Sequence, residues 1–393
     1  MPTPLFPHLD SCREVREAVR AVCSNYPAEY WEQHDRNHEY AAEFVKDFAD
    51  AGFLGMVIPE EYGGGGGTVA DFCAALEEVA ASGGAMNAAS SVHVPNLCVP
   101  TLLAFGTEEQ RRELLPKIAS GEMLVTFGVT EPDAGTDTTK IKLAARKTDD
   151  GWVLNGLKVW NSGAMYAQKV LVLTRTSTPG PGDRKGDGLT LFVTDIQAPT
   201  IEISPIEKIG RNAFGSAEVN FVDHPVTQAE MVGEEGKGFY HLLHSLNVER
   251  LYLSSVAMGI GRWCLAAATR YANERVVFGR QIGKNQAVQH PLAADYLALF
   301  AAAHVLQSAI TACEEEGAGS IGPIANAAKY LTSEAAWRIA DDAMQTFGGY
   351  SFAREYHIGR YWTEVRLQRI APVNNQMVLN YVAERVLGLP RSY

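Results

Sequence analysis

Apolar residues recur at helical spacing early in the chain. Phe44, Phe48, Ala51 and Leu54 fall at i, i+4, i+7 and i+10, and Phe72, Leu76 and Val79 repeat the first three steps of that stripe. Thr107, followed by Glu108, Glu109 and Gln110 and then Leu114-Leu115, is a helix-start signal. From about Leu124 the period drops to two. Asp149-Asp150-Gly151 joins Lys142–Lys147 to Trp152–Asn155 as a predicted hairpin, and Val170–Thr174, Thr190–Thr194 and Glu218–Val222 are further short β-rich runs. Ser177 to Gly188, rich in Gly, Pro and Asp, predicts a surface connection between strands. From Gly238 onward helical periodicity returns in long Ala/Leu-rich segments, including Trp263–Glu274 and Pro291–Glu315, which predict a bundle of four or five helices. The pattern divides the chain into an all-α block (1–123), a β block (124–233) and a second helical block (234–393). This order is α+β, and it argues against a doubly wound parallel sheet.

Composition narrows the classes. The 393 residues are 46% hydrophobic and 20% charged, an ordinary globular balance, with a net charge of −12. An acidic chain without a Lys/Arg-rich block gives no expectation of nucleic-acid binding. The six cysteines (Cys12, Cys23, Cys73, Cys98, Cys264, Cys313) are scattered, without C-x-x-C pairs, as expected for a reduced compartment without structural zinc. Met1 to Asp10 carries no signal-peptide pattern, and no run approaches the roughly 18–20 uninterrupted apolar residues of a membrane helix. The expectation is a cytoplasmic protein with no membrane span. The run Gly63–Gly67 ends in Thr68 where the third glycine of a dinucleotide-binding fingerprint would fall, and it predicts a loop between helices. His34/His38 and His241/His244 sit at same-face spacing without companion carboxylates, so packed or surface histidines are expected and no metal.

One constellation carries chemistry. Val129-Thr130-Glu131-Pro132-Asp133-Ala134-Gly135-Thr136-Asp137 is followed by Lys158-Val159-Trp160-Asn161-Ser162-Gly163, then Lys208-Ile209-Gly210-Arg211 and Phe221-Val222. After these come Arg275-Val276-Val277-Phe278-Gly279 with Gln286, and Gln345-Thr346-Phe347-Gly348-Gly349. In these motifs, taken in this order over essentially the whole chain, the sequence resembles the acyl-CoA dehydrogenase family. The resemblance implies a helical N-terminal domain, a middle β-barrel domain and a C-terminal four-helix bundle, assembled as a homotetramer or dimer. It also implies FAD between the β domain and the bundle, an acyl-CoA substrate and an electron-transferring flavoprotein as acceptor.

Residue by residue, the resemblance implies that Phe127, Val129 and Thr130 line the isoalloxazine edge. Trp160 would cover the ring, Ser162 would hydrogen-bond near N5, and Thr136 would serve both cofactor and substrate. Arg275, Phe278, Ile282, Gln286, Gln345, Gly348 and Gly349 would reach FAD across a subunit interface, and Asn374 and Gln376 would approach its adenosine part. A guanidinium suits a diphosphate and an indole suits a flat ring.

The expected base is where the chain departs from many members. In place of the glutamate of an E-G-T loop it has Pro372 in Ile370-Ala371-Pro372-Val373-Asn374, and proline cannot take a proton. Leu246-Asn247-Val248-Glu249-Arg250-Leu251 instead resembles the branch that includes isovaleryl-CoA and long-chain acyl-CoA dehydrogenases, with the base on a bundle helix. Periodicity agrees: Leu242, Leu246, Glu249 and Leu253 fall on one helical face, so the Glu249 carboxylate is expected to be desolvated and raised in pKa. A structural ion pair is the alternative for Glu249. Tyr240, Asn247 and Arg250 match positions near the CoA thioester and pantetheine, with a structural role open for Arg250. Glu131 is expected to serve its loop rather than the chemistry. The resemblance implies that Ala85–Leu97 forms an acyl-pocket floor, its small residues permitting a branched or bulky acyl chain, with close helix packing as the equal alternative. Dehydrogenation of a carrier-bound acyl group, a related flavin oxidase or monooxygenase, and a non-catalytic partner subunit stand as alternatives.

Overall fold

The computed structural model describes residues 6–392. Among the described residues seven α-helices precede the sheet: α1 (Arg13–Cys23), α2 (Ala28–Asn37), α3 (Ala42–Asp50), α4 (Val69–Val79), α5 (Ala85–His93), α6 (Val99–Phe105) and α7 (Glu108–Ala119). Phe44 and Phe48 are fully buried on α3. The predicted stripe overruns that helix, because Ala51 caps it and Gly52 turns the chain at φ +80°. Leu54 is buried beyond its end. Capping boxes start α4 (Thr68 with Asp71, directly after the glycine run) and α7 (Thr107 with Gln110).

The middle block is one eight-stranded sheet: β1 (Val125–Gly128), β2 (Ala144–Thr148), β3 (Gly151–Ser162), β4 (Lys169–Arg175), β5 (Leu189–Asp195), β6 (Ile201–Ile206), β7 (Ser216–Val226) and β8 (Met231–Val232). The order is β6-β7-β3-β2-β4-β5-β8, with β1 parallel to β4. The predicted hairpin is β2/β3, closed at Thr148 opposite Gly151. The long strand β3 loses register against β7 between Lys158 and Asn161, and Trp160 sits in that irregularity at φ +64°.

The last block holds α8 (Gly238–Glu274), a small hairpin β9/β10 (Val276–Val277, Arg280–Gln281), α9 (Gln286–Glu316), α10 (Gly322–Phe347), α11 (Ile358–Val365) and α12 (Asn375–Tyr381). Three long helices thus form the bundle, and the short α11 and α12 complete it. The two helical blocks share one hydrophobic core although the sheet separates them in sequence. Phe72 of α4 meets Tyr252 of α8 edge-on at 4.9 Å. Arg16 and Arg262 clamp the buried Glu77 and Glu78 at 2.8–3.0 Å. Where the three blocks meet, Asn87 amide Nδ2 donates to Asp35 at 3.1 Å and Glu364 at 2.7 Å, while the Asn212 N–H reaches Asp35 at 2.6 Å.

Two features bear on the sequence reading. The spacing G-x-G-x-x-G does occur once, at Gly317-Ala318-Gly319-Ser320-Ile321-Gly322. It joins α9 to α10 and follows a helix rather than a strand, so the dinucleotide fingerprint lacks its context. Three helical stretches, 69–105, 238–274 and 286–316, are also long and apolar enough to cross a membrane by length and composition, which the search for an uninterrupted run misses. The first two lie mostly inside the fold, whereas the apolar window of 286–316 is only 39% buried.

Candidate active site

The loop after β1 is held by a buried charge pair. Lys158 Nζ, sealed inside β3, donates to the Val129 carbonyl at 3.0 Å and to Glu131 Oε1 at 2.9 Å. Glu131 also accepts the backbone N–H groups of Lys142 (2.7 Å) and Leu143 (2.9 Å). Burial pushes the Lys158 ammonium down to about 8, against the pull of Glu131. With its lone pairs committed, Glu131 shapes the loop.

Beside that loop, β1 and the end of β3 are stitched together. The Val159 N–H donates to the Thr130 carbonyl at 2.9 Å, Asn161 Nδ2 to the Phe127 carbonyl at 3.3 Å, and Thr126 Oγ1 to the Ser162 carbonyl at 2.7 Å. Phe127, Val129, Thr130, Trp160 and Ser162 are thereby brought into one wall. Trp160 is 58% exposed in a left-handed conformation that a bulky residue rarely adopts. A strained backbone carrying an exposed indole leaves that ring available to a ligand.

Across the domain boundary, Asn374 Nδ2 donates to Thr136 Oγ1 at 3.0 Å. These two residues line a cavity of about 500 Å³ together with Gln376, Arg366, Arg369 and Ile370. Arg366 and Arg369 were missed in the sequence. Their guanidinium groups lie 5.5 and 5.9 Å from the Trp337 ring, and Arg369 also pairs with Glu334 at 2.7 Å. Arginines three apart just before the Asn374 loop were the available signal. Two guanidinium groups, one of them paired with Glu334, together with amides and a hydroxyl around such a volume, fit the diphosphate-bearing part of a cofactor such as FAD.

Glu249 stands apart. It lies on α8 with the neighbours of its face, Leu242 and Leu253, buried, and is itself 8% exposed. No hydrogen bond or ion pair with another described residue reaches its carboxylate. Burial raises its pKa to about 7, and the adjacent Arg250 guanidinium only partly opposes this. Arg250 Nη1 bonds within its own helix, to the Leu246 carbonyl at 3.3 Å and Asn247 Oδ1 at 2.5 Å, and its Nε is buried without a partner. Asn247 spends its amide on the Ala318 carbonyl at 2.7 Å. Tyr240 lies at the start of α8 with the Lys237 ammonium 5.8 Å from its ring. His241 stacks on Phe105 at 4.1 Å, and His244 meets the same ring edge-on. Pro372 lies in the loop before α12.

The remaining predicted residues form a separate group. Arg275, Phe278, Gln286, Gln345, Gly348 and Gly349 are exposed and Ile282 is half-buried. Arg275 lies 5.6 Å from the Tyr350 ring, joining the β9/β10 hairpin to the turn after α10. No hydrogen bond, ion pair or ring contact among the described residues links this group to Trp160 or Thr136 within one chain. Phe278, 99% exposed at φ +52°, tips the hairpin.

Comparison with known proteins covers the whole arrangement. Family profiles for the acyl-CoA dehydrogenase N-terminal, middle and C-terminal domains match residues 10–122, 126–224 and 236–387. An acyl-CoA dehydrogenase of Mycobacterium tuberculosis is 36% identical over 379 residues, 96% of each chain. A mitochondrial 2-methylacyl-CoA dehydrogenase of Solanum tuberosum is 31% identical over 366 residues, 92% of this chain and 87% of that one. A solved glutaryl-coenzyme A dehydrogenase in complex with glutaryl-CoA superposes with a TM-score of 0.90 at 30% identity, covering 97% of this chain and 96% of that one. Butyryl-CoA dehydrogenase from Megasphaera elsdenii gives 0.89 at 28% identity, covering 96% and 98%.

Proposed function

The chain belongs to the acyl-CoA dehydrogenase family, and on that premise we propose that Glu249 is the base with which it takes the α-proton of an acyl-CoA thioester. The protein is an FAD-dependent oxidoreductase that dehydrogenates acyl-CoA. When bound, FAD supplies the acceptor for the hydride that leaves the β-carbon. The observation that carries the assignment is the state of Glu249: desolvated, raised to about 7 and without a partner. A proton held on carbon is only weakly acidic, so a carboxylate whose proton affinity is raised by a dry setting suits its removal. Pro372 leaves the loop position without a base, and Glu131 is consumed by Lys158.

Trp160, with Phe127, Val129, Thr130 and Ser162, forms the wall against which the flavin ring lies. Thr136, Asn374 and Gln376 hold the remainder of the cofactor, with Arg366 supplying positive charge beside the Arg369–Glu334 pair. Tyr240, Asn247 and Arg250 frame the thioester end of the substrate. Arg275, Phe278, Ile282, Gln286, Gln345, Gly348 and Gly349 act on a neighbouring subunit's cofactor. The exposed Phe278 hairpin and the weakly buried α9 support a homotetramer or dimer, and an electron-transferring flavoprotein serves as acceptor. The reading is tested by anaerobic mixing of the purified holoprotein with a panel of acyl-CoAs of different length and branching. Bleaching of the flavin by at least one of them is expected, and bleaching by none overturns it. Light scattering on the same sample reads the assembly state.

A further inference from the structure

A buried cation with no anionic partner stands directly behind the flavin wall. Arg211, at φ +59° in the loop before β7, gives Nη2 to Ser162 Oγ and to Ser216 Oγ, each at 2.8 Å, and Nη1 to Ser90 Oγ at 3.4 Å. Its Nε is buried without a partner, and no carboxylate among the described residues pairs with it, Glu364 acting on it only through space. Lys208 packs beside it, its Nζ donating to the carbonyls of Arg211 (2.8 Å) and Phe214 (3.0 Å); burial and the Arg211 guanidinium lower its ammonium to about 7, so Arg211 is the charge that persists. His93, beside Arg211, has both ring nitrogens buried and unpartnered, and burial together with the guanidinium keeps the ring neutral. Burial lowers the Arg211 guanidinium to about 10, so it stays charged at neutral pH.

An arrangement of this kind costs backbone strain and desolvation without the return of an ion pair, which points to a partner supplied by a ligand. The chemistry of the contact gives its direction. A guanidinium has no acceptor, so Ser162 Oγ can only receive from it. The Ser162 hydroxyl makes no donating bond to another described residue, which leaves its proton for whatever lies against Trp160 and Ser162.

We propose that Arg211 is a positioning residue of the flavin site, turning the Ser162 hydroxyl toward the ring and holding a positive charge behind it that favours the electron-rich, reduced cofactor. This rests on the placement of FAD against Trp160 and Ser162. A charge fixed in a dry setting acts over several ångströms with little screening, and the effect appears as a reduction potential less negative than a neutral residue would give.

The test is the midpoint potential of the bound FAD, by dye-coupled reductive titration without substrate, in the wild type, Arg211→Lys, Arg211→Gln and Arg211→Met. The two neutral variants are expected to shift the reduction equilibrium at least tenfold toward oxidised flavin, about 30 mV more negative for a two-electron couple, with Arg211→Lys remaining near the wild type. Loss of FAD from the neutral variants alone, with cofactor and potential kept in Arg211→Lys, supports the same assignment. Unchanged potentials in the neutral variants, a shift as large in Arg211→Lys, or loss of FAD from all three overturns it and leaves Arg211 as support for the fold. A wild-type holoprotein whose flavin is bound but never bleached by acyl-CoA would overturn the dehydrogenase reading while leaving this titration decisive.

Discussion

Two buried glutamates illustrate how neighbours rather than burial assign a role. Glu131, on the loop after β1, is 6% exposed, and Glu249, on α8, is 8% exposed. The first has an ammonium at 2.9 Å and two backbone N–H groups on its oxygens. The second has, among the described residues, only an adjacent arginine whose Nη1 is turned into its own helix. A satisfied carboxylate holds a loop in place, whereas an unsatisfied one resists ionisation and is ready to hold a proton.

That contrast can be broken at several points. The largest effect is expected from Glu249→Gln, which should slow flavin reduction by acyl-CoA by about 10³-fold or more while FAD stays bound, as read by anaerobic stopped-flow absorbance. A variant that bleaches at a wild-type rate would put the base elsewhere. Next, Lys158→Met strands the buried Glu131 charge and should cost about 3–5 kcal/mol of stability, seen as a lower denaturant midpoint. Folded enzyme should keep its dependence on Glu249. A loss of only a few tenths of a kcal/mol would mean that the pair is not what holds the loop.

Smaller effects sharpen the comparison. Because the active form of Glu249 is the carboxylate, kcat/KM should rise with pH through an ionisation near 7. A carboxyl raised above its ordinary value binds its proton more tightly in the folded than in the unfolded chain, so its contribution to stability declines as pH climbs from 4.5 through about 7. Glu249→Gln should therefore be the more stable protein at pH 8, by on the order of 1–3 kcal/mol, with the advantage vanishing near pH 4.5, as followed by thermal unfolding at the two pH values. Smallest of all, Thr136→Val removes the hydroxyl that accepts from Asn374 and should weaken FAD retention by about 1 kcal/mol, measured by fluorescence titration of the deflavinated protein. An equal loss in Glu131→Gln would show that loop shape and cavity contact are one function.

Much of this was legible in one dimension. Glu249 could be placed on an apolar helix face because Leu242, Leu246 and Leu253 set the period, and the hairpin β2/β3 followed from Asp149-Asp150-Gly151. The helix stripe ending in Ala51 and Leu54 failed because a left-handed Gly52 stops α3, while the hydrophobic spacing continues past the stop. The pairing of Glu131 with Lys158 spans 27 residues and the bond from Asn374 to Thr136 spans 238, and no local pattern encodes such partners. Arg211 was visible as part of Lys208-Ile209-Gly210-Arg211, yet only the folded chain sets its guanidinium on the Ser162 hydroxyl.

The bond between Thr136 and Asn374 also bears on how the molecule stays whole. It joins the sheet block to the end of the bundle in the lining of the cavity, so a ligand seated there would touch both. If FAD is that ligand, cofactor affinity and inter-domain cohesion become one linked equilibrium, and each tenfold excess of free FAD over its dissociation constant adds about 1.4 kcal/mol to the work of separating the domains.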